Sequence, residues 1–258
     1  MSSYPGSVSN VEASSLISTS GLALLGLGLV FGLKHATEVD HVVAVSTIVS
    51  EHRNVLRSAL VGGLWGAGHT VSLIIVGALV LVFRVAIPKS VANWLEFAVA
   101  LMIIGLGLSA VVRVLRHRAD VHLHRHSHGG QSHVHVHFHE HGTEHTSPAA
   151  KHSHAVSQVG LKPLLVGAMH GLAGSAALTL LVLTQIESVL LGLLYLALFG
   201  IGSTFGMLLM SGLIGLPFAL SARRLSRLNY GLQTVAGGLS IAFGLWYGYQ
   251  TGITNSLW

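Results

Sequence analysis

The chain has 258 residues and no cysteine. That excludes disulfide frameworks, thiolate zinc sites and iron–sulfur ligation. It leaves imidazole and carboxylate as ligands for any transition metal. Charge is scarce too. Asp, Glu, Lys and Arg supply 9% of the residues, where soluble domains carry about 25%. Hydrophobic residues reach 51% and the mean hydropathy is +0.68. Neither an ordinary soluble domain nor a disordered chain has that balance. Residues 1–15 carry no basic residue ahead of the first apolar run, so no cleavable secretory signal is expected. The usual enzyme signatures are missing as well. There is no His-Glu-x-x-His, no adjacent His-His pair and no convincing Gly-x-Ser-x-Gly. The lack of Gly-Lys-Ser/Thr excludes a Walker A loop and built-in ATP hydrolysis. An enzyme is not expected.

Histidine is what the chain has in excess. There are 18 histidines against 9 acidic residues, and 13 of them fall between His117 and His154.

A membrane-crossing helix needs about 20 apolar residues. Six stretches qualify: 16–50, 59–83, 91–112, 161–186, 189–220 and 228–249. The first is interrupted by a polar motif from Lys34 to His41, and reads as one long broken helix or as two short spans. The expectation is an all-α polytopic membrane protein of about six transmembrane helices. Its parts are a polar N-terminal segment (1–15), a three-helix repeat (16–112), a histidine-rich loop (113–160) and a second three-helix repeat (161–258). Lys and Arg mark the cytoplasmic side of a membrane protein. With the N-terminus outside, 11 of the 14 basic residues fall in inside loops. That expectation places the histidine-rich loop in the cytoplasm and the chain in the cytoplasmic membrane. The net charge of +5 then serves topology, and no nucleic-acid partner is implied.

An internal repeat supports the division. Gly32-Leu-Lys-His35-Ala36 matches Gly167-Ala-Met-His170-Gly171, and Gly66-Ala-Gly68-His69-Thr70 matches Gly200-Ile-Gly202-Ser203-Thr204. Three spans per copy is an odd number, so the second copy would be inverted. Inverted repeats around a midplane site are a transporter signature.

The densest polar cluster within any span is Lys34-His35-Ala-Thr-Glu38-Val-Asp40-His41. Ionisable groups inside the hydrocarbon are costly and usually functional. Histidine with carboxylate suits Ni²⁺, Co²⁺, Zn²⁺ or Fe²⁺ better than Ca²⁺ or Cu(I). On a regular helix Asp40 lies about 140° round from His35. His35, Asp40 and His41 therefore meet at one ion only if the helix unwinds. Otherwise Asp40 orients an imidazole from behind. His69 is a lone histidine in an uncharged span, following two small residues that allow close helix approach. His170 is its counterpart of His35, without the carboxylates. In the loop, His122, His124, His126 and His128, then His133, His135, His137, His139 and His141, alternate with other residues. Such a tract offers many interchangeable weak metal sites.

The segment Lys34-His35-Ala36-Thr37-Glu38-Val39-Asp40-His41 resembles the His-x₄-Asp-His signature of the nickel/cobalt transporter (NiCoT) family. Gly66-Ala-Gly68-His69-Thr70 resembles its next Gly-His-Ser/Thr motif. With Gly-Leu-Ala-Gly-Ser after His170, the wording is most similar to the short urease-associated nickel permeases. Glu38 and Lys34 stand where many members have Asp and Arg, and the family's two later motifs are not recognisable. The resemblance implies a multi-pass permease importing Ni²⁺, with Co²⁺ as a related cargo. It implies His35, Asp40, His41 and His69 as metal ligands. Glu38, His170, Lys34, Thr70 and Ser203 are then expected along the pathway or behind the ligands. No prosthetic group is implied. A cytoplasmic nickel chaperone or urease-maturation proteins would receive the ion. Export of the same ions, a zinc transporter and a flux-free metal sensor or store are the rival readings.

Overall fold

The computed structural model describes residues 19–85, 87–119, 122–128, 131–137, 160–186 and 188–254. Seven α-helices make up the body: α1 (Thr19–His35), α2 (Val39–Val49), α3 (Val55–Phe83), α4 (Lys89–Ala119), α5 (Lys162–Gln185), α6 (Val189–Arg224) and α7 (Ser226–Tyr249), which runs on into a π-helical turn at Gln250–Thr254. The all-helical expectation holds for the body. The loop departs from it. There, β1 (His122–His128) and β2 (Gln131–His137) pair as an antiparallel hairpin. Alternation at period two is the pattern of a strand, and the repeated His-x-His spacing has it. His139 and His141 lie outside the described residues.

Among the described residues, three helices are long and apolar enough to cross a membrane: Val55–Phe83, Lys89–Arg116 and Val189–Ala222. A fourth candidate is the pair Ser20–His35 and Val39–Val49, bent by 53° at a short break. The first stretch therefore holds two helices that meet at a bend. The two remaining expected spans form α5 and α7, of 24 residues each.

Large apolar side chains point outward in rows. On α6 they are Ile201, Phe205, Leu209, Leu213, Leu216 and Leu220; on α3, Val71, Ile75, Leu79 and Val82. A soluble surface does not carry apolar rows of that extent. The inner faces carry the polar and small residues. Ser58, His69, Ser203, Ser211 and Ser240 are fully buried.

Lipid supplies no hydrophobic drive between helices, so small residues that let backbones touch decide the packing. Here they come in reciprocal pairs. Gly66 of α3 abuts Thr204 of α6, and Gly200 of α6 abuts Thr70 of α3. Gly68 abuts Leu164, and Gly202 abuts Leu29. Gly167 abuts the Trp65 backbone, and Gly32 that of Phe199. Each contact has its counterpart about half a chain away. Thr70 Oγ1 is 2.9 Å from Thr204 Oγ1 and donates to the Gly200 carbonyl at 2.9 Å, closing the α3–α6 crossing.

The chain ends its first helix in a way that matters. Glu38 is in extended backbone (φ −64°, ψ 147°) and starts α2 without a side-chain cap. The Glu38 and Thr37 amides donate three residues back, to His35 (3.0 Å) and Lys34 (2.9 Å). That tight turn satisfies groups left over at the end of α1. At the far end of α2, Glu51 pairs with Arg113 of α4 at 2.6 Å. The α2–α3 loop with Arg53, and the first turn of α3 with Arg57, therefore share one end of the molecule with the last turns of α4.

Candidate metal site

The break after His35 is what assembles the site. It turns the first residues of α2 back toward α1, so that His35, Asp40 and His41 face a common region. His69 arrives from the middle of α3 and His170 from α5. His41, His69 and His170 are almost completely buried, at 1%, 0% and 2% exposed. Four imidazoles and a carboxylate therefore share one interior, contributed by four helices.

His35 Nε2 and His69 Nε2 stand 3.2 Å apart. Two nitrogens each about 2.1 Å from one ion are separated by about that distance at tetrahedral or octahedral angles. The His35 and His41 rings are 4.5 Å apart at their centroids, and those of His41 and His69 5.4 Å. One donor atom from each of His35, His41 and His69 lies within 4.8 Å of the others.

Asp40 is held from two sides. His41 Nδ1 donates to its Oδ1 at 2.9 Å, as does the His41 amide, and His170 Nε2 donates to Oδ2 at 2.8 Å. A carboxylate behind a histidine fixes its tautomer and its ring orientation. With Nδ1 bonded to Asp40, Nε2 is the nitrogen of His41 left for an ion. It is buried and has no hydrogen-bond partner among the described residues. Trp65 stacks on the His41 ring at 5.8 Å with 9° between planes, which locks the ring against rotation. His35 is set similarly, through Nδ1 to Glu38 at 3.0 Å.

A cavity of about 380 Å³ opens beside the cluster. Lys34, His35, Glu38, Asp40, His41 and His170 line it. His69 does not; it lies deeper. Among the wall residues not singled out in the sequence are Glu96, Tyr195, Phe199 and Tyr247. The signal for Glu96 was present, since it is the one carboxylate in an otherwise uncharged span. Tyr195 and Phe199 look like any core aromatics in sequence. Thr70 and Ser203 are not drawn into the cluster. Thr70 fastens α3 to α6, and Ser203 is buried against Gly32 of α1. Neither lines the cavity, and both stand where small residues bring helices together.

Fold and site together define a class: a polytopic helical membrane protein with a buried histidine–carboxylate cluster beside a cavity. No family model and no solved structure matches the chain. Over 240 residues it is 39% identical to the urease accessory protein UreH of Bacillus sp. (strain TB-90), a match taking in 92% of this chain and 95% of the relative. The chain belongs to the UreH family of urease accessory proteins. The urease-associated side of the sequence resemblance is what this match shows.

Proposed function

We propose that the protein is a permease that imports Ni²⁺, with Co²⁺ as a secondary cargo, across the cytoplasmic membrane. The observation that carries this is the convergence of His35, His41 and His69 in a buried interior that also opens to a cavity. Nε2 of His41 and Nδ1 of His69 are buried without a hydrogen-bond partner among the described residues, which is costly in a merely structural role. Nitrogen donors with one carboxylate behind them suit Ni²⁺ and Co²⁺. The name of the UreH relative supports nickel as the cargo and inward movement as its direction, since a urease under assembly draws on cytoplasmic metal.

The working sequence is as follows. The hydrated ion enters the cavity, where Glu38, Asp40 and Glu96 make the potential favourable for a cation. It sheds water as the three imidazoles replace it. It leaves toward the cytoplasm, where the hairpin acts as a metal reservoir. Strand register puts position 122 opposite 137, 124 opposite 135 and 126 opposite 133, so the histidine positions come in pairs. Urease-maturation proteins or a nickel chaperone take the ion from there. The ion pair between Glu51 and Arg113 supports a common cytoplasmic end for the basic loops. The reciprocal glycine contacts support two inverted three-helix repeats.

Two predictions follow from the site. Glu96→Gln removes a wall charge but no ligand. Initial-rate uptake of ⁶³Ni²⁺ should show KM raised about fivefold, equivalent to about 1 kcal/mol, with the maximal rate kept. An unchanged KM would take Glu96 out of the entry path. The second concerns acid. An imidazole ligates only when its lone pair is free, so metal binding competes with protons. Protonating the histidines therefore removes binding, and uptake should fall as the pH is lowered far enough to charge them. Uptake that falls at no acid pH at which the protein stays folded would contradict a histidine site. Overexpression distinguishes the direction of transport: cells should accumulate nickel, whereas an exporter would make them resistant to it.

A further inference from the structure

The cluster contains a second group of donors. One atom from each of Asp40, His41 and His170 lies within 4.8 Å of the others. His41 belongs to this group and to the group with His35 and His69. The two groups differ in position. Asp40, His41 and His170 all line the cavity, whereas the other group includes His69, which lies behind its wall. They differ in origin too, because His170 comes from α5, on the other half of the chain. His170 Nδ1 is buried without a hydrogen-bond partner among the described residues, so nothing apart from Asp40 fixes this ring from its polar side.

We propose that Asp40, His41 and His170 form a second seat for the divalent ion, open to the cavity, and that the ion moves between the two seats by exchanging partners around His41. This rests on the permease reading above and adds to it a defined hand-off. The chemistry of one imidazole makes the seats exclusive. Neutral histidine has one nitrogen with a lone pair and one that carries the proton. With the ion on the inner seat, Nε2 of His41 ligates and Nδ1–H donates to Asp40. With the ion on the outer seat, Nδ1 of His41 ligates with its proton moved to Nε2, Asp40 becomes a ligand, and His170 ligates through Nε2 with its own proton moved to Nδ1. The ring keeps one proton in both states, and one ion is held at a time. Exclusivity has an electrostatic reason as well. Two divalent ions a ring's width apart would repel each other strongly in an interior of low dielectric. Asp40 thus has two roles in turn, orienting His41 for the inner seat and ligating in the outer.

Trp65 provides a local reporter. Its ring is 5.8 Å from His41 and 5.7 Å from His170, so a paramagnetic Ni²⁺ in either seat quenches it, while ions on the histidine-rich loop are told apart by their independence of these residues. The experiment uses the purified full chain in detergent, with Trp94, Trp246 and Trp258 changed to Phe, titrated with Ni²⁺. His69→Gln should keep quenching, with affinity weakened about tenfold. His170→Gln should also keep it. The double variant His69→Gln/His170→Gln should lose it, and so should His69→Gln/Asp40→Asn. Loss of quenching in His69→Gln alone would mean a single seat and overturn the proposal. So would residual quenching in His69→Gln that His170→Gln leaves unchanged. Failure of the permease reading looks different: His35→Ala and His41→Ala would then alter neither quenching nor uptake. Unquenched Trp65 emission and the thermal transition, compared with the parent, check that each variant is folded.

Discussion

Nickel uptake by cells carrying His41→Ala is expected to fall at least about 100-fold, to the level of cells without the protein. Removing a group that merely orients a metal ligand costs about 10–100-fold, and His41 is a ligand in its own right. Its ring touches everything else in the site. Asp40 holds one side of it, Trp65 covers its face, and His35, His69 and His170 surround it within centroid distances of 4.1–5.4 Å. Alanine would remove a nitrogen from both donor groups at once. Asp40→Asn should fall between, losing about 10–100-fold, because an amide still fills the space but presents the wrong donor to one of its two histidines. His52→Ala is the control. It changes a histidine of the α2–α3 loop, outside the cavity wall, and should leave ⁶³Ni²⁺ uptake as it is. If His41→Ala accumulated nickel like the parent, the whole site assignment would go with it.

Gly68→Ala and Gly202→Ala are expected to destabilise the fold strongly and to similar extents. At Gly68 a β-carbon would run into the Leu164 carbonyl oxygen and come within 3.0 Å of the Ala168 nitrogen; at Gly202 it would meet the Leu29 carbonyl and come within 3.2 Å of the Leu33 nitrogen. These are backbone atoms of a neighbouring helix and cannot step aside without moving the helix. Overpacking of this kind costs about 1–3 kcal/mol or more, so each variant should lower the thermal midpoint by several degrees and reduce the yield of folded protein. Gly105→Ala and Gly238→Ala are the comparison, since a β-carbon at either meets nothing within 4 Å. In a helix interior alanine is favoured over glycine by about 1 kcal/mol, so these two should be neutral or slightly stabilising. Equal losses at Gly68 and Gly202 would also support the inverted repeat, because the two contacts are each other's counterparts. A loss at one of them alone would count against it.

Much of this was legible in the chain. The polar interruption from Lys34 to His41 announced either an unwound helix or an Asp40 that orients an imidazole, because on a regular helix Asp40 would point away from His35. The structure resolves it through both of the routes that the spacing left open. The helix breaks after His35, and Asp40 bonds to His41. The small residues before His69 marked a place of close helix approach, and the α3–α6 crossing lies there. Other features were not legible, for physical reasons. His170 stands 130 residues from Asp40 in sequence, and nothing local shows that one donates to the other. Glu96 vanishes in any average over an apolar span, although a lone carboxylate there is informative. Thr70 follows a ligand in its motif, but at a tight crossing its hydroxyl bonds the neighbouring helix, while Ser203, the counterpart of His69, is buried with no hydrogen-bond partner among the described residues. The hairpin follows from an alternation that reads equally well as a string of metal donors.

Flux through the purified protein tests the central claim most directly. The full chain would be reconstituted in proteoliposomes that enclose a nickel-sensitive dye, and Ni²⁺ added outside, with and without a proton gradient. The account expects dye response with the parent protein and none with His35→Ala/His41→Ala/His69→Ala, provided that this variant inserts and melts like the parent. Equal flux through both proteins, or no flux through the parent under any gradient, would contradict it.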